Sequence, residues 1–124
     1  MILIIGGAYQ GKLDYAKSAL GVTPEQVFAC TGREIDFSKR CIYRLEEYSL
    51  ACVRAGVEPA EEMKTFREQW KDSVLICQDI SSGVVPMEAQ LRQWRNANGR
   101  LCQYLAGQAD QVIRVFCGLE QRLK

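Results

Sequence analysis

The sequence predicts an α/β fold of three layers, a mostly parallel sheet with helices on both faces. Three observations predict it. Ile2-Leu3-Ile4-Ile5 is an unbroken aliphatic run of the kind found in strands covered on both faces. The later apolar runs at 27–30, 73–77 and 112–117 also lack the polar–apolar alternation of a half-exposed antiparallel sheet. Segments of helical spacing separate these runs, and strand–helix–strand units joined by right-handed crossovers build parallel sheets. The glycine-rich turn after the first run narrows the class to a P-loop-type fold.

Each element follows in chain order. After the first strand, Gly6-Gly7-Ala8-Tyr9-Gln10-Gly11 breaks the run, and 12–20 reads as a helix with Leu13, Ala16 and Leu20 on one face, closed by Gly21. Residues 27–30 form a second strand, ended by Thr31-Gly32. From 41 to 55, Ile42, Leu45, Tyr48, Cys52 and Ala55 recur every three or four residues, which predicts one amphipathic helix terminated by Gly56. Pro59 begins a charged helix through Trp70. Residues 73–77 form a third strand, Pro86 opens a long helix to about Gly107, 112–117 is a fourth strand, and 120–124 is a short tail. There is no internal repeat, low-complexity tract or linker, so 1–124 is expected to be one domain.

Composition removes several function classes. Sixteen Lys and Arg against fifteen Asp and Glu leave a net charge of +1, no field to steer the chain to nucleic acid or an acidic membrane. The longest apolar run, 1–5, is far too short to span a membrane or form a signal-peptide core, so a cytoplasmic location is expected. Histidine is absent, which excludes Ser-His and Cys-His nucleophiles, His-ligated zinc and a nucleotidyl-histidine intermediate. The six cysteines, at 30, 41, 52, 77, 102 and 117, include no CxxC pair. Buried free thiols are expected, with a disulfide framework or a reactive thiol as alternatives.

The chemistry-bearing segment is Gly6-xxxx-Gly11-Lys12, placed after a strand and at the start of a helix. Small residues let Gly6, Gly7, Ala8, Tyr9, Gln10 and Gly11 wrap a phosphate with their N–H groups, and the helix N-terminus adds partial positive charge. Lys12 reaches terminal phosphate oxygens as a compact cation. The alternative is a glycine turn that only packs strand on helix. Leu13 stands where the pattern expects a Ser or Thr hydroxyl for magnesium. Asp79, at the carboxyl end of the third strand, lies where open parallel sheets bind ligands. It is a candidate magnesium ligand, through water, or else a solvated acid or helix cap. Arg92, Arg95, Gly99 and Gln103 share one helical face, suited to a phosphorylated ligand, a carboxylate of a neighbouring subunit, or plain solvation. Trp94 belongs to the adjoining apolar stripe. Gly99 mid-helix predicts a close backbone contact that offsets its conformational cost.

These residues resemble the bifunctional adenosylcobinamide kinase/adenosylcobinamide-phosphate guanylyltransferases. Ile4-Ile5-Gly6-Gly7-Ala8-Tyr9-Gln10-Gly11-Lys12 is similar to that family's strand-GGA-x-SGKS loop. Gly83-Val84-Val85-Pro86, Arg92-Gln93-Trp94-Arg95, Gly99-Arg100, Gln103, Leu105-Ala106, Ala109-Asp110, Val112, Gly118 and Leu123-Lys124 are similar to its C-terminal motifs. The chain departs from the family at Leu13, at Gln78-Asp79-Ile80-Ser81 in place of N-E-V-G, and in a shortened 35–72 segment. The resemblance implies binding of GTP or ATP with Mg2+, phosphoryl transfer to a cobinamide-type (corrinoid) alcohol, and a homo-oligomer with a trimer as the candidate state. In that scheme Lys12 and Asp79 are catalytic, Asp79 faces the metal, and the loop through Leu13 with Arg92 and Arg95 holds the nucleotide. Guanylyl transfer by the family's histidine is chemically excluded for this chain. The alternatives are a nucleotide-binding accessory or sensor that has lost turnover, and a structural partner with an empty loop.

Overall fold

The opening aliphatic run forms β1 (Ile2–Gly6) of a computed structural model that describes residues 1–80 and 88–124. Leu3 and Ile4 are both fully buried, and they enter two different apolar clusters. Side chains alternate across a strand, so burial of both neighbours means that both faces of β1 are covered. Its neighbours are β4 (Val74–Gln78) and β5 (Gln111–Phe116), each parallel to it. With β2 (Val27–Ala29), β3 (Cys41–Tyr43) and β6 (Leu119–Arg122), the described residues form one sheet in the order β2-β3-β4-β1-β5-β6. Every pairing is parallel except β5 with β6.

Helix α1 (Lys12–Leu20) covers one face through Ala16, packed with Ile4, Ile76, Ile113 and Val115. On the other face lie α2 (Leu45–Arg54), α3 (Pro59–Thr65) and α5 (Ala89–Gln108). Leu45, Tyr48, Met63, Leu101 and Leu105 pack there against Leu3, Leu75 and Val112. Each such aliphatic side chain contributes about 1.5–3 kcal/mol when taken fully out of water. This is the three-layer α/β arrangement with a mostly parallel sheet that the sequence predicts. Among the described residues, no helix is long and apolar enough to cross a membrane.

Four local expectations are corrected. The helix predicted over 41–55 begins with strand β3, because Cys41 and Ile42 are buried on both faces and pair with β2 and β4. Arg44, in the left-handed conformation, then turns the chain into α2. The helix predicted from Pro59 to Trp70 breaks at Phe66 into α3 and a short α4 (Arg67–Trp70), with the Trp70 indole donating to the Met63 carbonyl. The predicted tail is strand β6, folded back through a two-residue turn in which Cys117 and Gly118 both have positive φ. That turn exposes Cys117, which the strand pattern placed among the buried thiols; Cys30, Cys41, Cys52 and Cys77 are buried and free. The long fifth helix runs Ala89–Gln108, whereas Pro86, expected to open it, falls outside the described residues together with Gly83, Val84 and Val85.

Candidate functional site

The turn after β1 is held by glycine geometry. Gly6 has φ +155°, and a Cβ there would lie 2.5 Å from the Val115 carbonyl oxygen, so no other residue lets β1 run this close to β5. Gly11 (φ +92°) begins α1 with no side chain capping the first turn, which leaves that end open to an anion. Between them, Gln10 is tied to the β5–β6 turn twice: its Oε1 accepts from the Cys117 N–H (2.5 Å) and its carbonyl from the Gly118 N–H (2.9 Å). Tyr9 is fully exposed at the loop's crest with φ +58°.

A cavity of about 730 Å3 opens over this loop. Its walls are residues 8–14 on one side and Tyr43, Arg44, Glu46 and Gln78 on the other. Lys12 is nine-tenths buried, and its ammonium donates to the loop's own Gly7 carbonyl at 2.5 Å. Burial lowers its pKa below the ordinary lysine value, while the charge of Glu46 pulls the other way. Glu46 is itself buried on the first turn of α2, where Oε1 accepts from the Gln78 backbone N–H at 2.9 Å and Oε2 lies 3.9 Å from the Arg44 guanidinium. The cavity is therefore lined by a buried lysine and a buried carboxylate together with the uncapped first turn of α1.

A hydrogen-bonded layer supports this wall from behind. Asn98 of α5 donates from Nδ2 to the Gln78 carbonyl (3.1 Å) and accepts at Oδ1 from the Ser49 hydroxyl (2.7 Å). The Trp94 indole N–H reaches the Glu46 carbonyl (2.9 Å) and Ser49 Oγ (3.0 Å). Trp94, expected in the apolar stripe, is thus half-buried and anchored by its polar edge. Among the described residues no buried side-chain N or O atom lacks a hydrogen-bond partner.

Asp79 sits elsewhere. Its backbone N–H donates to the Gly6 carbonyl at 2.8 Å, and it lines a second cavity of about 290 Å3 with Ile5, Gly6, Gly7, Gln10, Arg114 and Phe116. Asp79 is not among the residues that line the cavity containing Lys12, although Gln10 lines both. Arg92 and Arg95 lie on the first turns of α5, outside the described walls of both cavities. Among the described residues, a Cβ at Gly99 would meet nothing within 4 Å, so none of them makes the close backbone contact expected there. Glu46 and Arg44 escape sequence reasoning because 41–55 reads as one continuous helix, which hides the end of β3 that delivers them, whereas Gln78 closes β4, the predicted third strand, and is overlooked beside Asp79. The signal was Arg44, which ends the short apolar run 41–43, with the acidic pair Glu46-Glu47 close behind it.

A family model described as cobinamide kinase / cobinamide phosphate guanyltransferase matches residues 44–123. The match starts at Arg44 and so includes the Glu46 wall, Asp79, α5 and the β5–β6 hairpin. No curated protein matches the chain.

Proposed function

Starting from the fact that this chain belongs to the cobinamide kinase / cobinamide phosphate guanyltransferase family of cobalamin biosynthesis, we propose that it binds GTP or ATP and passes the terminal phosphoryl group to a cobinamide-type alcohol. The single observation that carries this reading is the large cavity lined by Lys12, Glu46 and the uncapped first turn of α1. Phosphoryl transfer needs positioning and charge neutralisation more than covalent chemistry. The N–H groups of the loop and first helical turn would receive the phosphates. Lys12 would leave the Gly7 carbonyl to neutralise the charge that grows as the bond from the γ-phosphorus to the bridging oxygen breaks. The acceptor oxygen would form the new bond to phosphorus, its proton would pass to water, and the nucleoside diphosphate would leave.

The family also implies Mg2+. Leu13 supplies no ligand, and the described residues contain no group of three or more His, Cys, Asp or Glu able to hold an ion. Magnesium held with a nucleotide asks for one or two carboxylates plus phosphate oxygens and water, and the buried Glu46 meets that demand. Glu46 would hold the ion and Gln78 would orient Glu46, while Asp79, across the loop, would face the acceptor. When bound, the ion would neutralise phosphate charge. Guanylyl transfer through histidine is outside this chain's chemistry.

A second reading, a nucleotide-binding accessory protein without turnover, is favoured by one residue, the apolar Leu13. Calorimetric titration of GTP and ATP with and without Mg2+, followed by an assay of phosphoryl transfer to adenosylcobinamide, separates the two. Binding with transfer supports the kinase, binding alone supports the accessory protein, and no binding of either nucleotide sinks both.

A further inference from the structure

The sulfurs of Cys77 and Cys102 lie 3.5 Å apart, with the Cys102 thiol donating to Cys77. The two are 25 positions apart in sequence and stand on different elements, β4 and α5. Cys77 is fully buried, whereas Cys102 is half-buried and packs against the same apolar cluster. The neighbouring thiol and burial push Cys77 well above the ordinary thiol value, so it stays protonated. One sulfur of the pair is therefore open to a small solute, and the other is reached through it.

The pair stands behind the wall of the cavity that contains Lys12. Cys77 precedes Gln78, which lines that cavity. The Gln78 N–H donates to Glu46 Oε1 at 2.9 Å, and its carbonyl accepts from Asn98 at 3.1 Å. Cys77 itself donates to Asn98 Oδ1 at 3.5 Å. Cys102 lies four residues beyond Asn98, about one turn further along the same face of α5. A covalent bond between the two sulfurs would tie together the strand and the helix that hold Gln78, and through it Glu46.

We propose that Cys77 and Cys102 form a reversible disulfide when a hydroperoxide reaches Cys102, and that this bond locks the Gln78 wall of the cavity. Cys102 reacts first, as its thiolate. Its sulfur attacks the terminal peroxide oxygen, the O–O bond breaks, and the leaving oxygen takes up the thiol proton to depart as water or alcohol. Cys102 is then a sulfenic acid. The Cys77 sulfur attacks that sulfur, the S–O bond breaks, and the hydroxyl leaves as water with the Cys77 proton. Two thiols have given up two electrons and the hydroperoxide has taken both. A disulfide needs its sulfurs at about 2.05 Å, so the pair closes by about 1.5 Å, which rotation about the two Cα–Cβ bonds supplies. A dithiol reductant returns both thiols by exchange. Neither step depends on what the cavity binds.

Oxidation of the folded protein with excess hydrogen peroxide, followed by thiol blocking and tryptic mapping by mass spectrometry, tests the bond. The protein carries Cys117→Ser, because the exposed Cys117 would otherwise cross-link copies. Cleavage after Lys71, Arg92, Arg100 and Arg114 puts the two cysteines on separate peptides. The expected result is one linked species, lighter by two hydrogens than the peptides together, which dithiothreitol splits into both. With Cys102→Ser added, Cys77 is expected to remain a thiol, and far-UV circular dichroism verifies that this variant is folded. Amide exchange at Gln78 is expected to slow about tenfold or more in the bridged protein, because a cross-link suppresses the openings that expose it. Thiols that stay free throughout, irreversible oxidation of Cys102 without a link, or a link from either residue to a different cysteine would each overturn the proposal. So would oxidation of Cys77 in the folded Cys102→Ser variant, or unchanged exchange at Gln78 in the bridged protein.

Discussion

Lys12 spends its charge on the Gly7 carbonyl in a setting that already disfavours the ammonium. Removing it as Lys12→Ala is expected to cost about 1.5–3 kcal/mol of nucleotide affinity, the range for a hydrogen bond to a charged group, read by calorimetric titration. Its titration gives a second check. The folded state binds this proton less tightly than the unfolded chain, whose lysine titrates near the ordinary 10.5. The group therefore costs stability below its folded pKa, and that cost is relieved as pH rises towards 10.5. Phosphate oxygens beside Lys12 favour the charged form, so nucleotide binding in the alkaline range is expected to take up protons. Titration in buffers of differing ionisation enthalpy measures the uptake, which should vanish in Lys12→Ala. Glu46→Gln keeps an acceptor for the Gln78 N–H while deleting the charge, and is expected to abolish the dependence of nucleotide affinity on Mg2+. Lys12 was legible because its motif is local in sequence. Glu46 was not, since its relation to Lys12 exists only after β3 and β4 have placed it across the loop.

Among the elements, β1, β4 and α5 were legible because long apolar runs and sustained helical spacing leave little choice. β3 was not. Its three residues, Cys41–Tyr43, fit a helical stripe as well as a strand, and only pairing with β2 and β4 decides between them. The fifth helix provides two measurements of opposite sign. Among the described residues a Cβ at Gly99 meets nothing within 4 Å, so Gly99→Ala is expected to stabilise by about 0.5–1 kcal/mol, through a helix interior that no longer carries glycine's entropy. Asn98→Ala removes the donor to the Gln78 carbonyl and one of the two acceptors of the Ser49 hydroxyl, which keeps the Glu46 carbonyl. It should destabilise by about 1–3 kcal/mol in urea unfolding.

At the scale of the whole molecule, the cysteines set a slope. Burial pushes the Cys30 thiol up to about 12 and the Cys41 thiol up to about 11, against an ordinary value of 9.0. The unfolded chain loses these protons first, so the stability they supply is complete below about pH 9 and is lost as pH rises towards the folded values. Denaturation midpoints should fall across that window, and less steeply in a Cys30→Ala, Cys41→Ala protein. Sequence pattern located these thiols within the core but missed Cys117, because nothing local announces that a strand ends in a tight reversal. The same reversal grips Gln10 by two hydrogen bonds. Whatever rearranges the glycine-rich turn must therefore move the outermost ribbon of the sheet as well, and a spectroscopic label at position 117 is expected to register occupancy of a cavity that it does not line.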